Sequence, residues 1–248
     1  MKLRILTAFL STLALATTSQ AAEIKVLASA AVEEPFIELV PQFEKATGHK
    51  VVWAWAGSFD IQKRIAGGEA ADLVILASGP ADELIKQGKL TAGSRTNFAK
   101  SEIGVAVRAG APKPDISTAE AVKKAVIAAK SVAYSGGASG AYIVSMFEKM
   151  GIADQVETKT ATVKPGEPVG EVVARGDAEL GFHQVSEFLP VKGIDYLGTL
   201  PPEIQNITVF AGGIHSEAKD AAATKALVDF LTAPSVATIL KKHGLDPG

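Results

Sequence analysis

Apolar residues along this chain follow two alternating rhythms. Short, mainly apolar runs at 24–27, 51–55, 73–76, 103–107, 132–134, 180–182 and 208–210, interrupted only by Lys25 and Thr208 among polar residues, have the length and composition of buried strands. Between them, apolar positions return every three or four residues, the spacing of a helix with one buried face. Val32, Phe36, Leu39, Val40 and Phe43 form such a stripe, with Pro41 inside it as an expected kink because it lacks an N–H. Ser117-Thr118-Ala119-Glu120 reads as a capping box opening a helix that turns Val122 and Val126 inward. Ile143, Met146, Phe147 and Met150 give a third stripe, closed by Gly151. Residues 224–231 give a fourth, and Pro234 suits the first turn of a last helix carrying Val236, Ile239 and Leu240. Strands alternating with helices predict an α/β fold built on mostly parallel sheet.

Three of the strand-to-helix junctions share a composition. Ala28-Ser29-Ala30-Ala31, Ala56-Gly57-Ser58 and Ser135-Gly136-Gly137-Ala138-Ser139-Gly140 are small, hydroxyl-bearing or glycine-rich, and each precedes a helical segment. A helix start exposes amides with no intrahelical partner and carries partial positive charge, so it binds anions without Lys or Arg. Ser29, Ser58 and Ser139 are therefore candidate ligand donors, with N-capping or a tight turn as their plainer roles. Lys63 and Arg64 follow Ser58 closely enough to pair with a ligand carboxylate, although a solvated helix face is the commoner fate of such residues.

The first 21 residues change the compartment. Lys2 and Arg4 precede an apolar run to Ala16, and Ser19-Gln20-Ala21 offers small residues for cleavage, so residues 1–21 are expected to be a secretory signal peptide. No later run is long enough for a spanning helix, and a soluble mature protein is expected. The chain has no cysteine. That excludes thiol catalysis, cysteine metal sites and a lipid-bearing cysteine after the signal, and so fits a free protein of the periplasm. Loss of Lys2 and Arg4 with the signal moves the formal net charge from −2 to −4. A mildly acidic chain without a basic stripe is not expected to bind nucleic acid.

Four longer motifs carry a resemblance. They are Val26-Leu27-Ala28-Ser29-Ala30-Ala31, then Ile65-Ala66-Gly67-Gly68-Glu69-Ala70-Ala71-Asp72-Leu73, then Ala174-Arg175-Gly176-Asp177-Ala178-Glu179-Leu180-Gly181. The last is Phe230-Leu231-Thr232-Ala233-Pro234-Ser235 with Ile239 and Lys242-His243-Gly244. Together they make the chain resemble, over its mature length, the molybdate-binding periplasmic proteins of ABC importers. The resemblance implies a two-lobed type II periplasmic binding protein fold, each lobe a mostly parallel sheet flanked by helices, with two crossing segments as hinge. It places lobe 1 at 22–102 plus 207–248 and lobe 2 at 103–206. It implies a monomer that captures a small anion, molybdate or tungstate in the family's case, and passes it to an ABC permease in the inner membrane.

The family's contacts fall unevenly on this sequence. Its second-loop serine matches Ser58, and its first-loop serine falls at Ala31, with Ser29 and Ala30 beside it. The third loop falls at Ser139 and Gly140, and a further contact at Gly166. A tyrosine expected after the 180–182 strand is replaced by Gln184, preceded by His183, and the second loop gains Phe59 and Asp60. Two hydroxyl donors are thus missing, and Asp60 would repel a doubly charged tetrahedron. These departures suit a small organic di- or tricarboxylate, leaving two ligand classes open.

Enzyme chemistry is the rival class. Gly137-Ala138-Ser139-Gly140-Ala141 lacks the last glycine of a nucleophile elbow, so a secreted serine hydrolase with His183 or His215 has little support. The four histidines have no metal-ligand spacing, and neither a dinucleotide fingerprint nor a P-loop is present. The expectation is a non-enzymatic receptor without a cofactor.

Overall fold

A computed structural model describes residues 21–248; the expected signal segment lies outside the described residues apart from its last, Ala21. The chain begins with β1 (Glu23–Ser29), α1 (Glu33–Thr47), β2 (Lys50–Ala56), α2 (Ser58–Ala66), β3 (Leu73–Ala77), α3 (Ser78–Lys86) and β4 (Thr96–Ser101). It continues through β5 (Ile103–Arg108), α4 (Ala119–Ala128), β6 (Val132–Tyr134), α5 (Ala138–Lys149), α6 (Ala153–Glu157), α7 (Val169–Arg175), β7 (Leu180–Gln184), α8 (Val185–Phe188) and β8 (Ile194–Thr199). It ends with β9 (Thr208–Ile214), α9 (Ala221–Leu231), α10 (Ala237–Lys242) and β10 (Asp246–Pro247).

These strands form two sheets, ordered β10-β4-β9-β3-β1-β2 and β6-β7-β5-β8. Both faces of the first are covered. Val26 and Ala28 of β1 pack with Phe36, Leu39 and Phe43 of α1, while Leu27 points the other way, to Ile61 and Ile65 of α2. In the second sheet, Ile103, Val105 and Val107 meet Ile143, Met146 and Phe147, while Ala106 meets Val169, Val172 and Phe188. Burial on both faces is why the strands read as mainly apolar runs. Helix α1 runs on through Pro41 and stops at Gly48, whose φ of 77° suits a left-handed cap.

The two-lobed α/β architecture stands, but the sheets are mixed rather than mostly parallel. β1 pairs in parallel with β2 and β3, and β6 with β7, whereas β3–β9, β4–β9, β4–β10, β5–β7 and β5–β8 are antiparallel. The reason is topological. β4 and β5 carry the chain out of one sheet into the other across Glu102, and β8 and β9 carry it back. Strands that cross between sheets enter without a βα crossover and so run against their neighbours. β4 and β8 escape the apolar pattern because half or more of the residues in each are polar or glycine.

The two crossings are clipped together by side chains. Gln205 accepts from the Ile103 amide at 3.0 Å and donates to the Ile103 and Leu200 carbonyls at 3.0 and 3.2 Å. Gln184 at the end of β7 donates to Thr208 at the start of β9, at 2.8 Å.

Candidate functional site

A cleft of about 350 Å³ lies between the sheets. One helix from each side turns its N-terminus into it. On the first side, α2 starts at Ser58 with no side-chain cap, and the first intrahelical bond is Ile61 N–H to Gly57 carbonyl. The amides of Ser58, Phe59 and Asp60 therefore have no partner within the helix. Ser58 is buried, and its Oγ accepts from the Ala77 amide at 2.9 Å, fixing the hydroxyl and leaving its proton to donate. On the second side, α5 also starts uncapped after Gly137, with Ala141 N–H bonding back to the Gly137 carbonyl.

Gly140 explains the shape of that second loop. A Cβ there would sit 1.6 Å from the Ser135 carbonyl oxygen, so only glycine lets the loop fold back on the helix start. The fold brings Ser135 Oγ within 3.2 Å of Ser139 Oγ and lets it accept from the Gly137 amide at 3.3 Å. On β1, Ser29 Oγ accepts from the Ala31 amide at 3.4 Å.

The third part of the wall is different in kind. His183 on β7 is buried, with its Nδ1 3.2 Å from Glu187 Oε2 on α8 and its ring edge-on to Phe188. Nδ1 lies off the hydrogen-bonding direction and has no other partner. Burial pushes the Glu187 carboxyl up to about 8 and the His183 imidazole down to about 4. At neutral pH the pair is a protonated carboxyl beside a neutral imidazole rather than an ion pair. Glu33, at the start of α1, lines the same cleft, and its carboxyl is raised by burial and by the nearby Glu34 and Glu187. Glu33 and Glu187 also border a second cavity of about 490 Å³.

The sequence candidates fall into three groups. Ser29, Ala30, Ser58, Phe59, Asp60, Ser139, Gly166, His183 and Gln184 all line the cleft. Ala31 and Gly140 lie behind it, as a buried core residue and the glycine that lets the loop close. Arg64 does not line it: its guanidinium is held by Glu69 at 2.6 and 2.8 Å. Gln184 is tied to Thr208 across the sheets, with its Oε1 buried and unpartnered. No hydrogen bond joins Ser139 to a histidine among the described residues, so the serine-hydrolase geometry is not assembled. Sequence reasoning missed Glu33, Glu187, Trp55 and Lys164, which also line the cleft. The one available signal was Glu187 four residues after His183 at a strand-to-helix corner.

Two sheets joined by two crossings, with uncapped helix starts facing each other over a cleft, define a two-lobed periplasmic binding protein of type II. Comparison with known proteins agrees. The chain belongs to the family described as bacterial extracellular solute-binding protein, whose profile matches residues 24–246. It is 39% identical over 230 residues to the aconitate isomerase of a Pseudomonas species, covering 90% of this chain and 87% of that one. It is 30% identical over 239 residues to the molybdate-binding protein ModA of Azotobacter vinelandii, covering 93% and 92%. The solved periplasmic molybdate-binding protein of the same organism superposes with a TM-score of 0.75 at 20% identity, covering 91% of this chain and 99% of that one.

Proposed function

We propose that this protein, exported to the periplasm by residues 1–21, binds a small organic tricarboxylate of the aconitate class in its cleft and isomerises it. The observation that carries the proposal is the His183–Glu187 corner. Glu33, Asp60 and Glu187 repel any anion wherever they are ionised, and capture of a tetraoxyanion needs donors only, whereas this cleft also carries a raised carboxyl able to hold and release a proton. A polycarboxylate spreads its charge over several groups, each able to reach a separate donor. The 39% identity to a protein named aconitate isomerase supports the same ligand class. The volume of about 350 Å³ falls at the lower end of the roughly 300–1,000 Å³ of small-molecule sites.

The chemistry follows from the substrate. Aconitate is a three-carbon unit with one double bond and one methylene, each carbon bearing a carboxylate. Removing a methylene proton leaves an electron pair that delocalises over the three carbons into a flanking carboxylate. Returning a proton to the former vinyl carbon moves the double bond by one position and exchanges the isomers. The uncapped starts of α2 and α5 hold the carboxylates and stabilise the charge that builds between the two proton transfers.

A second function is favoured by the family and by the 30% identity to ModA: capture of an anion, molybdate or tungstate among them, for an ABC permease. Titration of the mature protein with propane-1,2,3-tricarboxylate, molybdate, tungstate and sulfate separates the two. The saturated tricarboxylate fits the proposed ligand class but has no double bond to move. Its binding with no response to molybdate supports the proposal, and tight molybdate binding without it rejects the proposal in favour of the receptor.

A further inference from the structure

We infer that Glu187 is the catalytic residue of this cleft, carrying a proton from one end of the ligand's three-carbon unit to the other, with His183 as its positioning residue. The inference rests on the reading of the cleft as a tricarboxylate isomerase site. Its basis is placement. Glu187 sits on the first turn after β7, borders the cleft, and keeps 21% of its side chain exposed, enough to meet a ligand. His183, behind it and only 6% exposed, sets its ring against the buried side of the carboxyl, with Nδ1 3.2 Å from Oε2 and not hydrogen-bonded to it. Glu33, the other raised carboxyl of the cleft, has no histidine paired with it among the described residues.

The charged surroundings of Glu187 come from several elements. β7 contributes His183, α1 contributes Glu33 and Glu34, and α7 contributes Glu171, with Lys192 at the end of the same cavity. The turn Ala30–Val32 brings no ionisable side chain. Arg108 of β5 lies by Gly176 instead, and His243, whose neighbour Gly244 approaches α8, is bonded to Glu38 at 2.8 Å. Asp60, Lys164 and Glu167, the last paired with Arg175 at 2.9 Å, complete the charged lining of the main cleft. Burial pushes the Glu187 carboxyl up to about 8. Its ionised form is thus a much stronger base than an ordinary carboxylate and is present in useful amount near neutral pH.

The steps balance. The Glu187 carboxylate takes the methylene proton, so a C–H bond breaks, an O–H bond forms, and the electron pair delocalises over the ligand. The same O–H then breaks, a C–H bond forms at the other terminal carbon, and the double bond shifts. The carboxylate is regenerated, and no oxidant, metal or second reactant is consumed. His183, neutral throughout, adds no charge that would lower the proton affinity of its partner.

The test combines isomerisation of aconitate, followed by proton NMR, with titration by propane-1,2,3-tricarboxylate. Glu187→Gln is expected to lose at least about 100-fold in kcat, the scale of a lost general base, while binding the saturated tricarboxylate within about threefold of wild type. Glu187→Asp is expected to recover part of kcat. His183→Asn is expected to lower kcat about 10-fold with KM within about threefold of wild type, a kcat-against-KM split that a general loss of packing would not produce. If Glu187→Gln keeps kcat within about threefold, or if Glu187→Asp binds the saturated ligand normally but recovers none of it, the assignment is overturned while the isomerase reading stands. If wild type binds the ligand and never isomerises it, the reading falls and takes the assignment with it.

Discussion

The two kinds of wall in this cleft use different physics. The helix starts at Ser58 and Ser139 offer neutral donors held in place by the fold, through the Ala77 amide in one case and the Ser135 hydroxyl in the other. They attract negative charge without carrying any charge of their own and without changing protonation state. The β7–α8 corner does the reverse: it buries two ionisable groups, suppresses the charge of both, and so keeps a proton in reserve. A receptor needs only the first kind of wall. On the proposed reading the second adds chemistry to binding within one site, and the two are separately measurable.

The largest expected effect breaks the corner alone. Glu187→Gln should remove isomerisation, as described above, and leave binding nearly intact. Its pH behaviour sharpens the comparison. Between the usual 4.5 and about 8, the folded protein keeps a proton on Glu187 that the unfolded chain has released, so stability falls as pH rises through that window. His183 acts at the other side. Its folded value of about 4 lies below the usual 6.5, so stability is lost as pH falls from 6.5 toward 4. The two slopes are equal and opposite between about 4.5 and 6.5, so thermal unfolding of wild type should be flat across mildly acid pH and fall as pH rises from about 6.5 to 8. Glu187→Gln should unfold at a higher temperature than wild type at pH 9, because the buried charge is gone, by roughly 2–4 °C for each kcal/mol recovered. Activity should run the opposite way, rising with pH toward a plateau above about 8, because the base form does the work.

The next two effects break the donor wall. Gly140→Ala should destabilise the fold by roughly 1–3 kcal/mol and weaken the saturated tricarboxylate, since a Cβ overlaps the Ser135 carbonyl and the loop must open. Ser58→Ala removes both a ligand donor and the acceptor for the buried Ala77 amide, at a cost of roughly 1–3 kcal/mol in urea unfolding. Binding should weaken, and kcat should fall less than in Glu187→Gln. The smallest effect is Arg64→Gln. Its ion pair with Glu69 is partly solvent-exposed and outside the cleft, so stability should change by no more than about 1 kcal/mol and binding not at all.

The fold was legible wherever burial on both faces wrote mainly apolar runs, unbroken at β3 and interrupted by Lys25 at β1. It was not legible at β4 and β8, where edge positions and crossings carry polar residues and strand direction depends on partners far away in sequence. The donor wall was visible because small and hydroxyl residues cluster at each helix start. The proton-carrying corner was not. A single glutamate four residues beyond a histidine has no distinguishing composition, and its raised proton affinity exists only once the surrounding lobes bury it. Arg64 misled for the same reason: its partner Glu69 is five residues away, beyond the i+4 spacing that sequence patterning reads.

One measurement bears most directly on the central claim that this cleft combines anion capture with proton transfer. Wild-type mature protein is incubated with cis-aconitate at pH 8, and the vinyl and methylene signals are followed by proton NMR. The account predicts conversion toward the trans isomer, slowed at least about 100-fold in Glu187→Gln. An unchanged spectrum with wild type, from protein that binds molybdate in parallel, would contradict it.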